Sequence, residues 1–135
     1  MSMMLNKLFG MNDAVEGRLR AKGIKYTDDL LMACRNAKSL SELAEAVQVD
    51  RAYLLRMVQR ADLERIRGIG DAYIALLEEV GVRSATDLAA AAPEELRGRL
   101  TQANAEKHLV GRIPAPAMVN GWVKRAQYLT RDSRN

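Results

Sequence analysis

The chain has 135 residues, of which 48% are hydrophobic, 28% charged and only 4% aromatic, a globular balance that excludes disorder and demands an aliphatic core. Its single cysteine, Cys34, excludes an internal disulfide and fits a reducing compartment. The formal net charge is +4, yet residues 1–63 hold ten basic and eight acidic side chains and residues 64–135 eleven and nine, so the charge is interspersed in both halves.

No run approaches the ~18 apolar residues of a membrane span. The apolar stretch Met1 to Leu5 is too short for a secretory core. A soluble, cytoplasmic protein is expected.

In chain order, Asn12 or Asp13 opens a helix that Gly23 closes in the left-handed conformation, and Thr27 caps the next. Ser39 with Glu42 reads as a capping box, and Asp50 starts a helix through Ala61. Asp71 caps a helix whose Ile74, Leu76, Leu77 and Val80 are apolar and which Gly81 ends. Ser84 with Asp87 starts a short helix. Pro93 takes the first turn of another, with Glu94 and Glu95 near its positive end. Gly111 to Pro116 demands a loop. A last helix runs from about Pro116 to Leu129 with Val119, Trp122, Val123 and Ala126 on one stripe. Sustained alternation is absent, so the fold class is all-α. Leu19, Leu30, Leu77, Leu88 and Trp122 are expected in the core.

The chain also matches itself. A shift of 58 places Gly10 on Gly68, Asp13 on Asp71, Ala14 on Ala72, Leu19 on Leu77, Gly23 on Gly81, Asp29 on Asp87 and Leu30 on Leu88, seven identities in 21 columns. A shift of 65 places Val58-Gln59-Arg60-Ala61 on Val123-Lys124-Arg125-Ala126, so the second copy holds seven more residues, expected near Gly111 to Pro116. The units are 8–63 and 64–129, related by a pseudo-two-fold axis within one compact domain, with a basic tail at 130–135.

Residues 63–81 run Leu-Glu-Arg-Ile-Arg-Gly-Ile-Gly-Asp-Ala-Tyr-Ile-Ala-Leu-Leu-Glu-Glu-Val-Gly, which resembles a helix-hairpin-helix motif. Its two glycines permit a turn closed to other residues, Ile69 plugs the hairpin into the core, and helix N-terminal amides face outward. Such a nest can hold one backbone phosphate without reading sequence. With the continuation Gly81-Val82-Arg83-Ser84-Ala85-Thr86-Asp87-Leu88, the segment is similar to the N-terminal domains of RecA-like recombinases and the C-terminal domain of the bacterial RNA polymerase alpha subunit.

The two-unit arrangement, with Asn104-Ala105-Glu106-Lys107 and the Trp122 helix, resembles the bacterial family catalogued as domain of unknown function 4332. That resemblance implies a tandem helix-hairpin-helix fold, a SAM-like helical bundle, and brings no settled activity. DNA-binding hairpins carry Pro and a basic residue after the second glycine, whereas this chain has Asp71 and Ala72. In the first unit the second glycine is Asn12, which tolerates positive φ.

The candidate nucleic-acid-binding residues are therefore Arg65, Arg67, Gly68, Ile69, Gly70 and Ala72, with the arginines supplying phosphate contacts. Leu40 to Met57 also has a helix-turn-helix pattern, but the duplication already accounts for these helices as structure. His108 has no ligand-spaced partner, Cys34 sits in an apolar helix, and Glu78-Glu79 and Glu94-Glu95 diverge on their helices, so no catalytic or metal site and no cofactor is expected. The expected function is a non-enzymatic module binding a DNA backbone weakly and without sequence preference. The alternative is a protein–protein adaptor. Neither reading involves a membrane or a small-molecule substrate.

Overall fold

The computed structural model describes residues 2–131. These contain eight α-helices and no strand, and one isolated antiparallel bridge joins Met4 to Tyr26. The chain divides into two compact units, Met1–Arg65 and Ile66–Asn135. Of the basic tail at 130–135, residues 132–135 lie outside the described residues.

In the first unit a short 3₁₀ turn (Leu5–Lys7) precedes α1 (Asp13–Ala21), α2 (Thr27–Ala33), α3 (Ala37–Ala46) and α4 (Arg51–Glu64). The α4 helix packs on both α2 and α3. Leu5, Leu19, Leu30, Leu40, Leu54 and Met57 form a buried aliphatic cluster, as a chain with a single Phe requires.

The second unit contains α5 (Asp71–Glu79), α6 (Ala85–Ala89), α7 (Pro93–Lys107) and α8 (Pro116–Arg131). The α8 helix packs on α6 and α7 through Val119, Trp122, Val123 and Ala126, the stripe expected from the sequence. Leu77, Leu88 and Trp122 are buried here, as Leu19 and Leu30 are in the first unit.

The seven additional residues are distributed differently from the expectation. The α7 helix has 15 residues where α3 has 10. The connection 108–115 is longer than 47–50, while fewer residues precede α7 than precede α3. The longer loop is held by polar contacts. Asn104 exchanges two hydrogen bonds with the Val110 backbone at 3.0 and 2.8 Å, Arg97 Nε donates to Pro114 O at 2.8 Å, and the Tyr73 hydroxyl donates to Arg112 O at 3.1 Å.

Several caps fall on neighbours of the expected residues. Thr27 lies inside α2, buried, with its Oγ1 accepting the Met3 N–H at 3.1 Å. Asp29 instead reaches back to accept the Lys25 and Tyr26 N–H groups at 3.1 and 3.0 Å. Asn36, not Ser39, caps α3 and accepts the Ser39 N–H at 2.8 Å. The Ser84 hydroxyl accepts the Asp87 N–H at 3.2 Å, and Pro93 opens α7, both as expected.

Candidate nucleic-acid interface

The two hairpins share a backbone and differ in what satisfies it. Gly10 and Gly68 have φ of +81° and +93°, the left-handed region that penalises a Cβ. Each also lies close to the last helix of its own unit. A Cβ on Gly10 would collide with the Arg60 guanidinium and lie 3.5 Å from Met57 Cε. A Cβ on Gly68 would stand 3.2 Å from Trp122 Nε1 and 3.7 Å from Met118 Cε. Met57 and Trp122 are equivalent at the shift of 65, so the duplication extends to hairpin packing.

The second hairpin residue tells the units apart. Asn12 has φ −82° and does not need the positive φ that the sequence pattern allowed it. Its carboxamide oxygen caps α1, accepting the N–H groups of Ala14 and Val15 at 2.8 and 3.3 Å. Its own N–H donates to the Tyr53 hydroxyl at 2.7 Å, and that hydroxyl donates to Gly10 O at 2.8 Å. The first nest is thus filled by its own protein.

Gly70 also lacks a positive φ: at φ −103° and ψ −171° it is extended, and a Cβ there would meet nothing within 4 Å. It is the N-cap of α5 and supplies no cap, so among the described residues no side chain accepts the first-turn N–H groups. Asp71, expected as the cap, occupies the first helical position, where its charge favours the positive helix end. Tyr53 is matched by Met118 at the shift of 65, and a thioether cannot reproduce the hydroxyl's bridge.

The remaining candidates divide. Ile69 is buried, as a plug should be, and Ala72 is exposed beside the open amides. Arg67 is exposed, with no carboxylate partner among the described residues. Arg65 is partly buried and pairs with Asp62 at 2.7 Å, so its charge is already committed.

A family model described as "Domain of unknown function (DUF4332)" matches residues 9–129. The chain belongs to the DUF4332 family. A search of curated proteins found no match, and neither did a search of solved structures. The match runs from the residue before the first hairpin glycine to near the end of α8, so both hairpins lie within the DUF4332 region.

Elsewhere in this DUF4332 chain the candidate chemistry is occupied by structure. The turn between α3 and α4 is made by Gln48 at φ +54°, and Tyr53, within the Leu40 to Met57 pattern, is bound to the first hairpin. His108 is exposed and ends α7 at φ +52°. No group of His, Cys, Asp or Glu able to hold a metal occurs among the described residues. Cys34 borders a cleft of about 330 Å³ in the first unit, together with Leu31, Val58 and Arg35. Burial pushes its thiol up to about 11, which keeps it protonated and a poor nucleophile at neutral pH.

Sequence reasoning missed Tyr53, Arg60 and Trp122 as hairpin partners. The signal was present in the shift of 65, which aligns the two last helices. Following that alignment back to Tyr53 and Met118 would have marked where the units diverge.

Proposed function

We propose that the second hairpin holds a backbone phosphate, and that the protein is a non-enzymatic, cytoplasmic module binding nucleic acid without strong sequence preference. The observation that carries this reading is Gly70. Glycine there satisfies no backbone requirement and relieves no internal clash, and it forgoes the cap that Asn12 supplies at the same place. A residue that weakens its own helix end for no internal reason leaves room for an external group at the amides. Exposed Arg67 adds an uncommitted cation beside them.

The test is Gly70→Asn. It should raise stability by a few tenths of a kcal/mol, the usual advantage of Asn over Gly at an N-cap. It should also weaken binding to duplex DNA, which in the wild type is expected in the non-specific range of about 10⁻⁴–10⁻⁶ M at physiological salt. Unchanged binding in a correctly capped variant would remove the hairpin from the function. The adaptor reading draws on one observation, the exposed acidic Asp71 beside the nest. It takes first place if the wild type binds no nucleic acid at low salt.

A further inference from the structure

The duplication provides an internal control for a second surface. In the first unit Arg60 belongs to its hairpin: Nη1 donates to Phe9 O at 3.0 Å and the guanidinium lies over the Phe9 ring, 4.1 Å from its centroid. At the shifts that relate the units, Arg60 corresponds to Arg125 and Phe9 to Arg67. The aromatic partner has become a second cation, so Arg125 has no ring to occupy at the hairpin. It stacks instead on Tyr128, 5.0 Å from the ring centroid, and Arg131 approaches the same ring at 5.2 Å.

Tyr128 is 56% exposed. Neither arginine has a carboxylate partner among the described residues, α8 contains no Asp or Glu, and Lys124 stands exposed beside Arg125. Met118 and Trp122 bring this helix to Gly68, and Arg125 follows Trp122 by one turn.

We infer that Arg125 and Arg131, held on the Tyr128 ring, form a second phosphate-contacting surface, which continues the path of a nucleic-acid strand from the Gly68–Gly70 hairpin along α8. This rests on the reading of the hairpin as a phosphate site. Arg125 and Arg131 are six residues apart, about 9 Å along the helix, so they meet different phosphates. A tyrosine between two guanidinium groups restricts their rotamers before binding, which lowers the entropy lost when each contacts an anion. From Lys124 to Arg131 no aliphatic side chain is exposed, so the strip lacks the aliphatic surface of a membrane-inserting face. Cations that have no carboxylate partner among the described residues fit a polyanion.

The experiment is a salt titration of full-length protein against short duplex and single-stranded DNA, read by fluorescence anisotropy. With one hairpin phosphate and two arginine contacts, log affinity should fall against log salt with a slope of about 2.7 on duplex, at about 0.9 per phosphate. Arg125→Gln with Arg131→Gln should lower the slope to about 0.9 and weaken low-salt binding about tenfold or more. Tyr128→Ala keeps the charge, so it should weaken binding while leaving the slope near the wild-type value. A charge-matched control, Arg83→Gln with Arg112→Gln, should leave the slope unchanged.

If Gly70→Asn weakens binding while the Arg125/Arg131 variant retains wild-type affinity and slope, the surface is overturned and the hairpin reading stands. Loss of binding in the Arg125/Arg131 variant, with Gly70→Asn unaffected, upholds the surface and removes the hairpin. An equal effect in the charge-matched control, or no binding by wild type at low salt, overturns the inference.

Discussion

The Tyr53 hydroxyl accepts the Asn12 N–H at 2.7 Å and donates to the Gly10 carbonyl at 2.8 Å, so a side chain of α4 closes the first hairpin from outside its own sequence. Its ring is partly buried and stays in place when only the oxygen is removed. Tyr53→Phe should therefore cost about 0.5–1.5 kcal/mol, the net value of a hydrogen bond whose partners remain open to water. The sharper readout is hydrogen exchange at the Asn12 amide, which should accelerate in the variant. Unaltered protection there would mean that the hydroxyl is not its acceptor.

Gly68 carries two constraints and Gly81 only one. Both have positive φ, at +93° and +82°, so alanine at either incurs the left-handed penalty of about 1–2 kcal/mol. A Cβ on Gly81 would meet nothing within 4 Å, whereas one on Gly68 would press on Trp122 Nε1 at 3.2 Å. Trp122 is only 2% exposed, and its rigid indole has little room to yield. Gly68→Ala should lose about 1 kcal/mol or more beyond Gly81→Ala in urea unfolding, the order of overpacking costs. Equal losses would show that the indole does not stand against the hairpin.

The glycines explain why so much of the fold was legible. Gly10, Gly23, Gly68 and Gly81 all adopt positive φ, and the penalty on every other residue there makes them recur at a fixed spacing. Helix existence and the α8 stripe followed from periodicity. The caps were less legible because Ser, Thr, Asn and Asp compete within a single turn, and tertiary contacts choose among them. Thr27 became a buried acceptor for Met3, which left the start of α2 to Asp29. Left-handed Gln48 had no sequence signal, since glutamine does not mark that conformation, while His108 carried only the weak enrichment of histidine there. At the site, Gly68-Ile69-Gly70 was found, but the roles of its glycines were merged. Only Gly68 serves the turn, and the meaning of Gly70 appears only beside Asn12.

Cys34 offers a pH test of burial in the first unit. Its thiol is raised from 9.0 to about 11 by desolvation, so the folded protein holds this proton more tightly than the unfolded chain does. The associated stability is fully present below pH 9.0 and is lost as pH rises toward 11. Comparison with Cys34→Ala cancels the titration of lysines and tyrosines common to both proteins. The stability of wild type relative to the variant should fall across that window. A flat difference would mean that the thiol ionises in the folded state as readily as in the unfolded chain.

Asp71 is the position where stability and phosphate binding pull in opposite directions. At the first position of α5 its negative charge interacts favourably with the helix dipole, by about 0.3–1 kcal/mol at an exposed site. The same charge stands beside the open amides and repels any phosphate that approaches them. Asp71→Lys reverses both effects, placing a cation at the positive helix end and removing a like charge from the phosphate's path. The variant should therefore melt lower than wild type and bind duplex DNA more tightly, with a salt slope steeper by up to about 0.9 as one more phosphate is engaged. Asp71→Asn separates the contributions, since it removes the repulsion without supplying a new contact. It should bind with intermediate affinity at the wild-type slope. A generic gain from added charge is controlled by Thr86→Lys, at an exposed position on α6 away from the hairpin sequence. If that variant gains as much affinity as Asp71→Lys, the phosphate does not lie at the hairpin. A gain confined to Asp71→Lys, accompanied by loss in Gly70→Asn, would place it there.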